Sequence, residues 1–273
     1  MSGNRVRPAD VLLDLLRSVG TRGHSVRQLV RIGGLFGFTE NGVRVTLSRL
    51  LARGLVESPQ RGRYRLAAGT DAINEFVERW RLGEERVRFW TPGDWLFAHE
   101  AEPPPRSRWA LEALGFREAG SGLYLRPDNL QLEIDDLHAL GTGIGLDPRV
   151  LMIVGRPRGA PVPDAWVGLW QPEALVAHQR ELLYRLETSN DRLAGMSRDD
   201  ARLETFRLGG EVIHALAKDP LLPEELVETG VRAELWRAML DYDARGKAIW
   251  ASSEGEKPGT MPVPQLAMSS TAG

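Results

Sequence analysis

Apolar positions recur at helical spacing three times within residues 1–70. Val11, Leu12, Leu15, Leu16 and Val19 fall on one stripe and predict a first amphipathic helix. Val26, Leu29, Val30 and Ile32 predict a second, with Ser25 placed to cap it. A turn over Gly34–Phe38 leads to a third stripe, Val43, Leu47, Leu50 and Leu51, at i, i+4, i+7 and i+8. Thr39 stands at its N-cap position and Gly54 where a helix stops, so the third helix is expected over Glu40–Arg53. After it the period shortens: Leu55–Glu57 and Arg63–Leu66 predict two strands around the turn residues Pro59, Gln60, Arg61 and Gly62.

Beyond residue 70 the pattern changes twice. Ile73, Phe76, Val77, Trp80 and Val87 keep helical spacing over Asp71–Arg88, a connecting helix. There follows an alternation of strand Asp94–Ala98, helix Ser107–Leu114, strand Gly122–Arg126, helix Asn129–Ala139 and strand Val150–Val154, the plan of a small ferredoxin-like domain. From Asp164 the chain reads as helices: Pro172 to Leu193, Asp199 to Lys218 and Val231 to Trp250, with a turn over Asp219–Pro223. After Ala251, Ser, Gly, Pro and Thr dominate, which predicts a disordered tail. The expected class is α+β. The expected domains are a winged helix-turn-helix over 1–70, the connecting helix over 71–92, a ferredoxin-like domain over 93–160, a helical C-terminal domain over 161–251 and the tail over 252–273.

With the apolar stripe of the third helix buried, Asn41, Val45, Ser48 and Arg49 project from its other side, flanked by Arg44 and Arg53. Amide, hydroxyl, methyl and guanidinium groups on one exposed face suit base edges and phosphates. A solvated helix face would explain arginines equally well, but an outward Val45 fits a thymine methyl better than it fits water. Charge sharpens the reading. Residues 1–70 hold 12 Arg and no Lys against 4 Asp+Glu, a net of +8, while the remainder has 23 basic against 33 acidic residues, a net of −10; together they make the chain's −2. A cationic head gains counterion-release free energy on a polyanion, and an acidic body is repelled from it. The DNA-contacting set is therefore Thr39, Asn41, Arg44, Val45, Ser48, Arg49 and Arg53 from the third helix, with Arg61, Arg63 and Arg65 from the wing.

The run FTENGVRVTLSRLLARGLVE followed by GRYRL resembles the N-terminal domain of the PaaX family of bacterial transcriptional regulators of phenylacetic acid catabolism. SRWALEALGFREAGSGLYLRP is similar to that family's central segment, and DPLLPEEL with the Trp-containing helix after it to its C-terminal one, so the resemblance covers roughly Val6 to Trp250. It implies a ferredoxin-like middle domain and an aryl-CoA or acyl-CoA effector, phenylacetyl-CoA being the namesake, that releases the DNA. Residues compatible with such an effector are Arg156 and Arg158 for phosphates and Trp109 or Trp166 for stacking on an aromatic ring; core tryptophans and solvated arginines are the plainer reading of all four. The segment EAEPPPR, with three consecutive prolines before the helix, departs from the family and puts any ligand contact there in doubt.

Other chemistry finds little support. Without cysteine there are no disulfides, thiolate metal sites or cysteine nucleophiles. Gly141, Gly143 and Gly145 lack the G-x-G-x-x-G spacing and a lysine, so they are not read as a phosphate loop. Glu133, Asp135, Asp136 and His138 fit no named metal site and read as a solvated acidic face. The five histidines are scattered and no G-x-S-x-G surrounds a serine. No catalytic residue, metal or cofactor is assigned. MSGNRVRPAD has no apolar signal core, and no run approaches the roughly 18 apolar residues of a membrane span, so a cytoplasmic protein without membrane contact is expected. Two recognition helices one DNA turn apart need two-fold symmetry, so a homodimer on a partly palindromic double-stranded operator is expected. The alternatives are a protein-interaction module built on the winged domain and a CoA-ester hydrolase or transferase sited in the acidic body.

Overall fold

Short helices set between glycines and basic turns build the N-terminal part, and longer ones the C-terminal part. The computed structural model describes residues 7–18, 23–67, 71–157 and 164–251; Val19, Arg158 and the tail after Ala251 fall outside them. In chain order the elements are α1 (Pro8–Ser18), β1 (His24–Ser25), α2 (Val26–Leu35), α3 (Glu40–Ala52), β2 (Val56–Gln60), β3 (Arg63–Leu66), α4 (Asp71–Glu78), β4 (Trp95–His99), α5 (Pro105–Ala113), β5 (Arg117–Gly120), β6 (Leu123–Pro127), α6 (Ile134–Ile144), β7 (Leu151–Gly155), α7 (Asp164–Val167), α8 (Pro172–Arg192), α9 (Arg198–Ala217) and α10 (Gly230–Ala251). The class is α+β, with two small antiparallel sheets, β1-β3-β2 and β5-β6-β4-β7. The chain divides into two compact units. Of the described residues, one takes those up to 74, 186–214 and those from 239 on, the other those within 75–185 and 215–238.

In the first unit the stripes predicted from spacing meet in one core. Val11, Leu12, Leu15 and Leu16 of α1, Leu29 and Ile32 of α2, and Val43, Leu47 and Leu50 of α3 are buried there with Val56 of β2. Burying each such side chain stabilises the fold by about 1.5–3 kcal/mol. Phe206 of α9 joins the same core, and Trp250 of α10 packs against it. α2 and α3 approach closely at Gly33, where a Cβ would stand 2.8 Å from Val43 Cγ2. The first helical residue of α2 is tied to the wing, because the Val26 N–H donates to the Gly62 carbonyl at 2.8 Å. In the helical part, the hydroxyls of Ser189 and Tyr242, both buried, share a hydrogen bond of 2.7 Å that joins α8 to α10.

Three details differ from the pattern reading. α2 carries on through Gly33 and Gly34, so the turn before α3 begins at Phe36. β2 runs on through Pro59 to Gln60; it is an edge strand, with a register irregularity between Glu57 and Gln60, and such a position tolerates a residue without an N–H. Leu51 is 43% exposed, not buried. At about 100° per residue it sits some 80° around the helix from Val43, off the buried stripe.

The second unit holds the four-stranded sheet. β4 is central, paired with β6 (Phe97↔Leu125) and with β7 (Phe97↔Ile153), and β5 pairs with β6; all pairings are antiparallel. The short edge strand β5 was absent from the pattern reading. Trp95, Phe97 and Leu125 lie on one face and pack with Trp90, Trp166, Trp170 and helical residues such as Leu222 and Val231. Leu96, Ala98, Tyr124 and Arg126 alternate with them and point to the other face. β7 is the other edge, with Leu151, Ile153 and Val154 all more than half exposed.

The expected continuous helix over 71–88 stops at Glu78 and continues as a 3-10 segment, Arg79–Arg86, broken at Gly83 (φ 50°, ψ −125°). Only glycine fits at this break, since the Trp236 indole occupies the place a Cβ at position 83 would take. The helix expected from Asn129 starts instead at Ile134, because the backbone of 129–131 is paired with that of 86–88: the Arg88 N–H donates to the Asn129 carbonyl and the Gln131 N–H to the Arg86 carbonyl, both at 2.8 Å, around a Val87–Leu130 bridge.

Three buried guanidiniums hold the segment 216–222. Arg86 donates to the carbonyls of Gly83 and Leu216 (both 3.2 Å), and Arg232 to Leu222 O (2.9 Å) and to both carboxylate oxygens of Glu84 (3.2 Å each). Arg126 donates to the carbonyls of Leu114 and of Pro220 (3.2 Å) and to Asn129 Oδ1 (3.2 Å). Burial pulls the Arg126 pKa down to about 9, and the charges of Asp128 and Asp219 work against that. Asp219 accepts from the Leu221 N–H (2.8 Å) and from Gln179 Nε2 (2.6 Å), and Leu221 itself is held at φ 54°.

Candidate nucleic-acid interface

α3 is capped where the sequence places the cap. Thr39 Oγ1 accepts from the Gly42 N–H at 3.1 Å, satisfying one of the donors a helix start leaves open. Ser25 caps α2 through a full capping box: its hydroxyl accepts from the Gln28 N–H (3.3 Å) while Gln28 Oε1 accepts from the Ser25 N–H (2.9 Å).

With Val43, Leu47 and Leu50 in the core, Asn41, Arg44, Val45, Ser48, Arg49 and Arg53 are all exposed on α3. Val45 is 39% exposed, an apolar β-branched side chain on a polar face. The Ser48 hydroxyl donates to the Arg44 carbonyl one turn back (3.1 Å), which leaves its oxygen lone pairs as acceptors. Arg44 is engaged differently from its neighbours: its Nε and Nη2 both donate to Glu40 Oε1, at 2.9 and 2.7 Å.

The wing arginines separate into three situations. Arg61 is exposed at the tip, next to Gly62 at φ 77°. The tip is pinned by Ser58, whose hydroxyl lies 3.0 Å from the carbonyl oxygens of both Gln60 and Arg63. Arg63 is half-buried in the central strand, its Nε without a hydrogen-bond partner among the described residues. Arg65 is paired across the strands with Glu57 and presents a neutralised charge. Arg27 and Arg31, exposed one turn apart on α2, extend the cationic surface; the sequence reading passed them over, although their i, i+4 spacing opposite Leu29 and Ile32 signals them.

The four residues named for an effector are not gathered together. Trp166 lies 5.6 Å from Trp95 and 6.1 Å from Phe97, centroid to centroid and edge-on in both cases. Arg156 pairs with Asp94 at 2.6 Å, and the Asp94 carbonyl accepts from Trp90 Nε1 at 2.7 Å, so Arg156 stands beside the same tryptophan cluster. The hydrogen bond from Arg156 holds the Asp94 carboxyl below the usual range. Trp109 sits in α5, apart from that cluster, and Arg158 lies outside the described residues.

Gly141 and Gly143 lie inside α6, and Gly145 (φ 121°) caps its C-terminus, the end of a helix that disfavours phosphate. Gly141 packs closely, since a Cβ there would lie 2.9 Å from the Cδ atoms of Leu114 and Leu146 and they would have to shift. Among the described residues no group of three or more His, Cys, Asp or Glu is placed to hold a metal ion, and no helix is long and apolar enough to cross a membrane.

Residues 9–70 match the family model described as PaaX-like protein, consistent with the resemblance carried by the α3 and wing motifs. No curated protein matches the chain. Among solved structures it is similar to the uncharacterized protein Rv0674 from Mycobacterium tuberculosis, with 22% identity and a TM-score of 0.55 over 90% of this chain and 100% of that one, a likeness of fold alone.

Proposed function

We propose, with the PaaX-like region over residues 9–70 as the premise, that the chain is a DNA-binding transcription regulator of a catabolic pathway of the phenylacetic acid type. The observation that carries this reading is the composition of one surface: Asn41, Val45, Ser48 and Arg49 stand exposed together on α3, within a head of net charge +8. Helices α1 to α3 with the sheet β1-β3-β2 follow the winged helix-turn-helix plan, in which the third helix enters the major groove. The strand order β5-β6-β4-β7, with α5 and α6 between strands, follows the ferredoxin-like plan.

In this reading α3, with Thr39 at its start, contacts base edges from the major groove, Arg53 contacts the backbone at its C-terminal end, and Arg61 and Arg63 contact phosphates beside it. Two copies related by a two-fold axis read a partly palindromic operator as a repressor in the cytoplasm. An aryl-CoA or acyl-CoA thioester bound near Trp166 and Arg156 favours a dimer geometry that misplaces the heads, a population shift that needs only a few kcal/mol of differential affinity.

Fluorescence anisotropy tests this directly. Labelled duplex from upstream of the protein's own reading frame is titrated with the full chain at several salt concentrations, with and without phenylacetyl-CoA. The expected result is tight, sequence-selective, salt-sensitive binding that the thioester abolishes. Seven of the eight tryptophans lie in the second unit, Trp250 being the exception, so their emission reports thioester binding in the same titration. Selective binding indifferent to the thioester would overturn the effector, and absence of selective binding would overturn the regulator in favour of a protein-interaction module.

A further inference from the structure

The contact between Glu40 and Arg44 has a geometry that bears on how α3 reads DNA. Both side chains are more than half exposed, at 61% and 53%. A guanidinium has two edges able to make a two-pronged contact, the side edge through Nε and Nη2 and the end through Nη1 and Nη2. Glu40 Oε1 takes the whole side edge, with bonds of 2.9 and 2.7 Å. What remains outward is the end, whose parallel N–H groups match guanine O6 and N7. The pair is also electrically neutral and carries its carboxylate at the start of the helix, where a bare N-terminus would otherwise attract phosphate. A neutral pair with an exposed carboxylate gains little from the DNA backbone and is repelled from it at close range, so its favourable place is against a base.

We infer that Glu40 is a positioning residue for base recognition: it holds Arg44 end-on to a guanine and keeps the start of α3 off the phosphates, which makes one G·C pair in each half-site a required feature of the operator. This rests on the reading of α3 as the DNA-contacting helix. It also separates Arg44 from Arg49, Arg53 and Arg61, for none of which a carboxylate pairing is seen among the described residues. An i, i+4 Glu–Arg pair stabilises a helix in any case, so the test must read something that helix stability does not move.

The test is selection of bound duplexes from a randomised pool by the full chain, as wild type, Glu40→Gln, Arg44→Ala and the double variant, followed by anisotropy on the selected duplex and on a scrambled one. Glu40→Gln keeps the size of the side chain and its amide oxygen, and far-UV circular dichroism verifies that the helix content is intact. The wild type is expected to select a motif with guanine fixed at one position per half-site. Glu40→Gln should lower the preference for that guanine by about tenfold while tightening binding to the scrambled duplex and steepening its salt dependence by about one charge. Arg44→Ala should lose preference at the same position, and the double variant should lose no more than Arg44→Ala alone. An unchanged motif for Glu40→Gln, or a loss at a different position from that of Arg44→Ala, would overturn the inference and leave the pair a helix-stabilising contact. A wild type that selects no motif would instead overturn the DNA-reading role itself, and the inference with it.

Discussion

The ring of Phe206 meets that of Phe36 edge-on, centroids 4.8 Å apart and planes at 71°. Phe36 opens the turn that leads into α3, so a residue of α9 buttresses the approach to the exposed face. Removing the ring by Phe206→Ala leaves a cavity in a core shared with Leu29 and Leu47, and should lower stability by about 3–5 kcal/mol, read as a shift of the urea midpoint. Phe206→Leu should lose less than half of that. A head fragment ending at residue 70 lacks this ring and should unfold at lower urea than the full chain.

The arginines of the proposed interface should divide by what they touch. Arg49→Ala is expected to weaken binding to the preferred duplex by about 1–3 kcal/mol and to relax sequence preference, as loss of a two-pronged base contact does. Arg61→Ala at the wing tip should weaken all sequences alike and flatten the dependence of log K on log salt by about one unit. Anisotropy titrations on matched and scrambled duplexes separate the two outcomes. Equal losses on every sequence for Arg49→Ala would count against base reading.

Arg126 offers a test in the second unit. Arg126→Ala strands the carbonyls of Leu114 and Pro220 and the Asn129 side-chain oxygen in the interior, and should lower stability by about 3–5 kcal/mol in chemical denaturation. Arg126→Lys keeps the charge, but a single ammonium cannot span groups arranged for a planar fork, so most of the loss should persist.

Alkaline pH should act through Tyr242. Burial raises its pKa to about 12, over the opposing pull of the Ser189 hydrogen bond and with help from the Glu204 charge. An unfolded tyrosine ionises near pH 10. The neutral phenol is therefore favoured by the fold: its contribution is complete below about pH 10 and is lost as pH rises towards 12, amounting to roughly 2–3 kcal/mol. Urea midpoints measured across that window should fall more steeply for the wild type than for Tyr242→Phe, and the late-ionising part of the phenolate absorbance in the folded protein should be reduced in that variant.

The head was largely legible because its signals are local. Thr39 and Ser25 cap the helices they precede in sequence, and Val43, Leu47 and Leu50 fill the core their spacing implies. Leu51 misled because an apolar residue just off a stripe has the composition of the core without its direction. The second unit was harder to read for a different reason. β5 is four residues long with three of them exposed, and it is joined to β6 through Gly120, Ser121 and Gly122, all at positive φ, so neither its length nor its pattern announces a strand. The glycine at the break, Gly83, is required by Trp236, more than 150 positions away, and the burial of Arg126 depends on carbonyls at Leu114 and Pro220. A charged residue carries no local sign that distant backbone will solvate it. The pairings of Arg44 with Glu40 and of Arg65 with Glu57 were not read from the sequence, and which edge of each guanidinium remains outward is a matter of their geometry.

The carbonyls that Arg86 and Arg126 grip belong to Leu216 and Pro220, and the core beneath α3 includes Phe206. During synthesis the chain emerges from its N-terminus, so these partners leave the ribosome long after the residues that wait for them. Until then Leu29, Leu47 and Phe36 lack their aromatic cover, and two guanidiniums destined for the interior remain in water. Each unit thus closes only when the last quarter of the chain has been made, and a nascent chain has its cationic surface on display before the core behind that surface is finished. A pulse of protease applied to stalled nascent chains of increasing length should find the N-terminal helices only weakly resistant until Phe206 has emerged, and each unit fully protected only once its own late segment is out.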